Sequence, residues 1–122
     1  MSNKHLAIDF LQLIIKGKID EAYSKYVNMN GKHHNVFYED NFSNLKRGME
    51  DNQIKFPKKR FSIKNVIEDS GLVATHSHLS FNSHDTGMIV IHIFRFENNK
   101  IVEMWDCGQQ IPKDSPNKSG AF

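Results

Sequence analysis

The chain has 122 residues, enough for one domain with one core, and a net charge of +2 from 16 basic and 14 acidic side chains. The charges are interspersed, which disfavours a nucleic-acid-binding protein with a basic face. No segment approaches the roughly 20 apolar residues that span a bilayer, and the N-terminus lacks a signal-peptide pattern. The single cysteine, Cys107, cannot form an internal disulfide. We therefore expect a cytoplasmic protein that binds neither nucleic acid nor membranes.

Three helices are predicted in the first half of the chain. Apolar residues recur at helical spacing over 6–15, and a short amphipathic helix follows over 19–27. The polar segment 28–31, Asn-Met-Asn-Gly, breaks that helix. A third helix has one apolar face over 42–49 and cannot continue through Pro57.

After Pro57 the apolar period changes to the alternation of strands. Four strands are predicted, and they are "RFSIKNVIED", "LVATHSHLSF", "MIVIHIFRF" and "IVEMWDCGQQ". No crossover helix separates them, so an antiparallel sheet is expected, with the helices covering one face of a bent α+β domain. The polar segment after residue 112 has no apolar period, so we predict a domain over 1–112 and a flexible tail over 113–122.

Alternation also predicts which strand side chains share a face. The groups are His76 with His78, His92 with Phe94 and Phe96, and Val102 with Met104 and Asp106. A two-residue Asn98-Asn99 loop would pair His92 with Trp105, whereas a bulged three-residue loop would pair it with Asp106. We prefer the bulged register, because it embeds His92 and Asp106 in one apolar wall.

The final hairpin, "IFRFENNKIVEMWDCGQQIP" at 93–112, resembles that of the SnoaL-like polyketide cyclases in the nuclear transport factor 2-like (NTF2-like) superfamily. The similarity extends upstream through "HHN" at 33–35 and "VATHSH" at 73–78, and so covers most of residues 1–112. It implies a cone, in which a strongly curved antiparallel or mixed sheet wraps the N-terminal helices around a pocket. It further implies a homodimer formed through the outer sheet face, and chemistry without a cofactor.

The resemblance also implies a reaction. In the characterised cyclases an aspartate acts as acid and base in an intramolecular aldol condensation, and Asp106 matches that motif. The chain departs from the family twice, with Met104 where a histidine is usual and His92 where the preceding strand tends to carry an aspartate. The imidazole would then have moved to the neighbouring strand.

We hypothesise a lyase- or isomerase-type proton transfer on a small carbonyl or aromatic compound in an apolar pocket. Asp106 would be the base, and His92 or His78 would donate a hydrogen bond or return the proton. The predicted substrate contacts are His34, His76, Phe94, Met104 and Phe96. No metal is required by this chemistry.

Two other functions fit the same residues. His76 and His78, together with His34 or His92 and with Asp106, supply ligand types suitable for zinc. Alternatively, the pocket belongs to a non-catalytic module that binds a small ligand, and the histidines are ordinary half-buried strand residues.

A dimer surface is predicted on the opposite side of the sheet. Alternation places Ile91, Ile93 and Arg95 away from His92, and the preferred register adds Trp105 to them. Apolar side chains on an outer sheet face are typical of a contact between subunits.

Overall fold

A computed structural model describes residues 2–122, which form three helices and five strands. The elements are α1 (Asn3–Ile15), α2 (Ile19–Tyr26), β1 (Val27–His33), α3 (Phe42–Lys55), β2 (Arg60–Asp69), β3 (Leu72–Ser80), β4 (Met88–Glu97) and β5 (Lys100–Gln110). The predicted helices and the four predicted strands are confirmed. The second helix ends before 28–31 as predicted, but this segment lies within β1, a strand that was not predicted. Its polar residues show no alternation, and its extended backbone depends on pairing with β5.

Side-chain caps fix the start of two helices. The Ser2 hydroxyl accepts the His5 backbone N–H at the start of α1, and the Asn41 side chain accepts the Asn44 N–H at 2.8 Å at the start of α3. After α1, Gly17 adopts a φ of 79°, which costs glycine little and ends the helix.

The sheet has the strand order β1-β5-β4-β3-β2 and is mixed. β1 runs parallel to β5, and the other neighbours are antiparallel. We call the face that carries Val73, Phe94 and Met104 the inner face, because these side chains are buried in the core against α1 and α2. Phe10 of α1, for example, lies 5.8 Å from Phe94 between ring centroids. The opposite side is the outer face.

The β4–β5 hairpin contains the predicted irregularity at a different place. Its loop has two residues, Asn98 and Asn99, at φ values of 50° and 64° that asparagine tolerates. The extra residue is Val102, which lies between the pairs Phe96–Ile101 and Arg95–Glu103. The predicted pairing of His92 with Asp106 is confirmed, whereas the predicted three-residue loop is wrong.

Gly31 of β1 packs directly against this bulge. A Cβ added at Gly31 would lie 2.3 Å from the Val102 carbonyl oxygen and 2.8 Å from Cε2 of Phe42. Only glycine allows the two backbones to approach so closely. β1 can therefore reach β5 and deliver its last residue, His33, to the inner face.

None of the helices formed by residues 2–122 has the length and apolarity needed to cross a membrane. The domain boundary at residue 112 stays a prediction. In the structure the Phe122 ring lies 4.9 Å from the His78 ring and 5.2 Å from the His76 ring, between centroids. The end of the chain thus contacts the outer face of β3.

Candidate functional site

Three polar side chains form a row across the inner face. Asp106 of β5 is directly opposite His92 of β4, which is directly opposite Thr75 of β3. Directly opposed residues have Cβ atoms about 4.5–5.5 Å apart, so neighbours along this row are close enough to interact. We call Asp106, His92 and Thr75 the polar row.

Asn35 holds the carboxylate of Asp106. Its Nδ2 donates to Asp106 Oδ2 at 3.0 Å. The other end of the Asn35 side chain is also fixed, because Oδ1 accepts the Phe37 backbone N–H at 3.0 Å. A carboxylate whose hydrogen-bond donor is itself anchored keeps one orientation, as a positioned base requires. The "HHN" motif was the only sequence signal for Asn35.

His92 is held in an apolar environment. Its ring stacks on Phe94 at 5.6 Å between centroids, and Nδ1 is buried without a hydrogen-bond partner in residues 2–122. Burial lowers the pKa of His92 below 6.5, and the charge of Asp106 opposes this only in part. The imidazole is therefore neutral at neutral pH and can donate or accept a hydrogen bond.

The lowered pKa of His92 predicts how stability depends on pH. Between its folded pKa and 6.5 the unfolded chain binds more protons than the folded chain, so the free energy of unfolding rises with pH. The contribution of His92 is fully present above pH 6.5 and is lost as the pH falls through the folded pKa. We expect His92→Phe to lose less stability than the wild type between pH 7.5 and pH 5.5, as measured by urea unfolding.

His84→Asn is the matched control for that measurement, since His84 lies exposed in the β3–β4 loop. This variant should keep the wild-type pH dependence. An unchanged dependence in His92→Phe would contradict the assignment of the effect to His92.

Asp106 also borders a cleft of about 470 Å³. The lining residues are Asn35, Val36, Phe37, Leu79, Met88, Val90, Asp106, Cys107 and Gly108. Val36 and Phe37 are 88% and 87% exposed, so the rim nearest Asn35 is strongly apolar. A small apolar molecule in this cleft would lie against one anchored carboxylate.

The structure places His76 and His78 on the outer face, opposite Ile91 and Ile89. His78 Nε2 bonds the Thr86 carbonyl oxygen at 2.9 Å. The prediction that both histidines share a pocket with Asp106 is therefore wrong. The two histidines do share one face of β3, as alternation predicted. Which face of β3 is the inner one depends on its register against β4, and the loop between the two strands determines that register.

His34 also lies outside the predicted pocket. Its ring stacks on Trp105 of the outer face at 5.1 Å, and its Nε2 lies 2.7 Å from the Glu103 carboxylate. The hydrogen bond from His34, followed by the one from Arg95, lowers the pKa of Glu103. The prediction of His34 as a pocket residue is wrong because the pairing of β1 turns the preceding residue, His33, inwards.

Phe94, Phe96 and Met104 lie on the inner face as predicted. All three are buried in the hydrophobic core beside the helices. Phe94 stacks on His92 of the polar row. Contact of the three side chains with a substrate stays a prediction.

The structure does not bring together the side chains proposed as zinc ligands. His76 and His78 are separated by the sheet from His92 and Asp106. In the part of the chain that the structure describes, residues 2–122, no three His, Cys, Asp or Glu side chains group closely enough to hold a metal ion.

Three N-terminal helices on a five-stranded mixed sheet define the NTF2-like fold, and comparison with solved structures agrees. An NTF2-like protein of unknown function from Cytophaga hutchinsonii superimposes with a TM-score of 0.71 at 13% identity, over 89% of this chain and 91% of that one. A SnoaL-like polyketide cyclase from Agrobacterium tumefaciens gives 0.73 at 15% identity, over 89% and 92%. A SnoaL-like protein of unknown function from Burkholderia thailandensis gives 0.72 at 11% identity, over 88% and 93%.

No protein-family model matches the sequence, and no curated protein matches it either. At these identities the structural similarity establishes the fold alone.

Proposed function

We propose that this protein catalyses a cofactor-independent proton transfer on a small carbonyl compound, with Asp106 as the base. The observation that carries the proposal is the polar row, in which an anchored carboxylate faces a neutral imidazole at the border of an apolar cleft. The similarity in fold to a SnoaL-like polyketide cyclase supports an aldol-type reaction of this kind.

The residues divide the work as follows. Asp106 removes a proton from the carbon next to the substrate carbonyl, and Asn35 keeps its carboxylate aimed at that carbon. Negative charge then develops on the carbonyl oxygen as the enolate forms. The neutral imidazole of His92 donates a hydrogen bond to this oxygen. This hydrogen bond stabilises the enolate. Asp106, now protonated, returns the proton at the end of the reaction.

An exchange experiment tests the proposal without knowledge of the natural substrate. The protein is incubated in D₂O with acetophenone and with ethyl acetoacetate, and loss of the hydrogen signals next to the carbonyl is followed by NMR. The wild type should accelerate exchange above buffer for at least one compound, and Asp106→Asn should not. A wild type that binds the compounds without accelerating exchange would overturn the proposal in favour of a non-catalytic binding module.

We further infer that two copies of the chain associate through the outer face. Ile89, Ile91 and Ile93 follow one another along β4 on this face. Ile67 of β2 is 67% exposed on the same face, with Ala74 of β3 between it and Ile93. Trp105, pinned between His34 and Arg95, extends the same surface. A row of isoleucines with a tryptophan on a sheet face suits an isologous contact between two copies of one chain.

The wild type is expected to sediment as a dimer, and Ile91→Glu as a monomer, because the glutamate would be buried unpaired at the centre of the contact. Ile54→Glu is the matched control, since Ile54 is 80% exposed on α3, and it should remain a dimer. A monomeric wild type, or a folded Ile91→Glu that stays dimeric, would contradict the predicted interface.

A further inference from the structure

Residues 113–122 fold back over the outer face of the sheet, and we call this segment the strap. Ile111 holds its start, because the Ile111 backbone N–H donates to the Gly87 carbonyl oxygen at 3.0 Å. Near the other end, Ala121 lines a cavity of about 290 Å³ together with Ile89 of β4. The strap therefore lies beside one of the isoleucines proposed for the contact between two copies of the chain.

The ring of Phe122 is the contact between the strap and β3. It lies 4.9 Å from the His78 ring and 5.2 Å from the His76 ring, between centroids. The Lys64 ammonium of β2 lies 5.6 Å from the centroid of the same ring, and a cation near an aromatic face is attracted to it. Because the two histidines are directly opposite isoleucines of β4, the ring covers the part of the outer face next to them.

The strap is held weakly enough to open. Each residue from 113 to 122 is exposed, and even Phe122 is 45% exposed. Within residues 2–122 its hydrogen bonds join its own residues, as from the Gly120 N–H to the Asn117 carbonyl oxygen at 3.2 Å, and none reaches the sheet. Segments with few buried contacts open at a small cost in free energy. The contacts of one aromatic ring are the main loss when this segment opens.

The closed strap and a second copy of the chain cannot occupy the same part of the outer face. Sheets that pack face to face lie about 10 Å apart, and their own side chains fill that space. A segment that lies over β3 beside Ile89 keeps a second sheet from this approach. In an isologous contact each copy presents the same face, so both copies must open their straps.

We infer that the strap is an autoinhibitory segment that competes with dimerisation through the outer face. The inference rests on the proposed dimer. Only the open form of each chain can associate, and two chains take part, so the dissociation constant rises as the inverse square of the open fraction. A strap that is open about one third of the time weakens the dimer roughly tenfold, which is within the range that one aromatic contact supplies.

Sedimentation of variants at position 122 over a range of concentrations tests the inference. Phe122→Ala removes the ring and should dimerise about tenfold more tightly than the wild type. Phe122→Tyr is the matched control, because it keeps the aromatic ring at a half-exposed position, and it should keep the wild-type dissociation constant. Dimers of equal affinity in the wild type and Phe122→Ala overturn the strap as a competitor and leave the proposed interface in place.

NMR of the histidine rings measures the strap contact without dimerisation. At dilutions where the chains are monomeric, the ring signals of His76 and His78 should shift in Phe122→Ala, because an adjacent aromatic ring is lost, and should stay in place in Phe122→Tyr. Signals that do not shift in Phe122→Ala overturn the inference.

The double variant Phe122→Ala/Ile91→Glu separates the strap from the interface. It should be monomeric, because the gain in affinity depends on the isoleucines of β4. A double variant that dimerises as tightly as Phe122→Ala shows that the chains associate through another surface, and it overturns the proposed interface. A Phe122→Ala that stays monomeric at every concentration overturns the interface and the strap together.

Discussion

Asp106→Asn is expected to fold like the wild type and to lower the rate of catalysed proton exchange by about 10²–10⁴-fold, the usual contribution of a positioned acid or base. The replacement keeps the size and shape of the side chain. It also keeps an oxygen that can accept the hydrogen bond from Asn35 Nδ2. The amide cannot remove a proton, so the loss should appear in the rate constant and not in the free energy of unfolding. NMR exchange rates and urea unfolding measure the two quantities.

Glu103→Gln is the matched control for this variant, because it removes a carboxylate from the same strand. Glu103 points to the outer face, where it bonds His34 and Arg95. We expect its exchange rate to stay close to that of the wild type. An equal loss of rate in both variants would indicate a general effect on the fold, and an unchanged rate in Asp106→Asn would exclude Asp106 as the base.

Thr75→Val is expected to stabilise the protein. The Thr75 hydroxyl is buried without a partner in residues 2–122, and leaving such a group unsatisfied costs about 1–3 kcal/mol. Valine has nearly the same shape and removes that cost. A gain of about 1 kcal/mol corresponds to a rise in Tm of roughly 3–5 °C for a domain of this size, which thermal unfolding followed by circular dichroism would detect.

Thr86→Val is the matched comparison, and we expect it to destabilise the protein. The Thr86 hydroxyl donates to the Ile111 carbonyl oxygen, so the same replacement breaks a bond that is made. We expect a loss of about 0.5–1.5 kcal/mol there. Comparable losses in the two variants would show that the Thr75 hydroxyl is satisfied in solution and would contradict the prediction.

The sequence predicted most of the fold because its elements show strong local patterns. The helices have apolar stripes and definite ends, such as Pro57, and the four later strands alternate. β1 could not be found in this way. Its residues between Val27 and His33 are mostly exposed, and it exists because Gly31 allows it to lie against β5. Interactions between segments distant in sequence, and not local propensity, determine such a strand.

The candidate site was predicted only in part for a related reason. Alternation correctly placed His92 with Asp106, since a short hairpin joins their strands and its register has few alternatives. His76 and His78 are separated from His92 by a seven-residue connection, 81–87, which allows either parity. Thr75 and Ser77, the residues between and beside the histidines, are the ones that face inwards. Their hydroxyls are buried without a hydrogen-bond partner in residues 2–122. No sequence pattern predicts such a property.

The extra residue at Val102 has an implication for protein engineering. Excising it would leave Phe96 opposite Ile101 and Arg95 opposite Glu103, in uninterrupted succession. The pairs further along β4 and β5, His92 with Asp106 included, would stay opposite each other, while the local bend that such an insertion introduces would relax. The local bend of β5 and the pairing of its acid with His92 can therefore be altered independently.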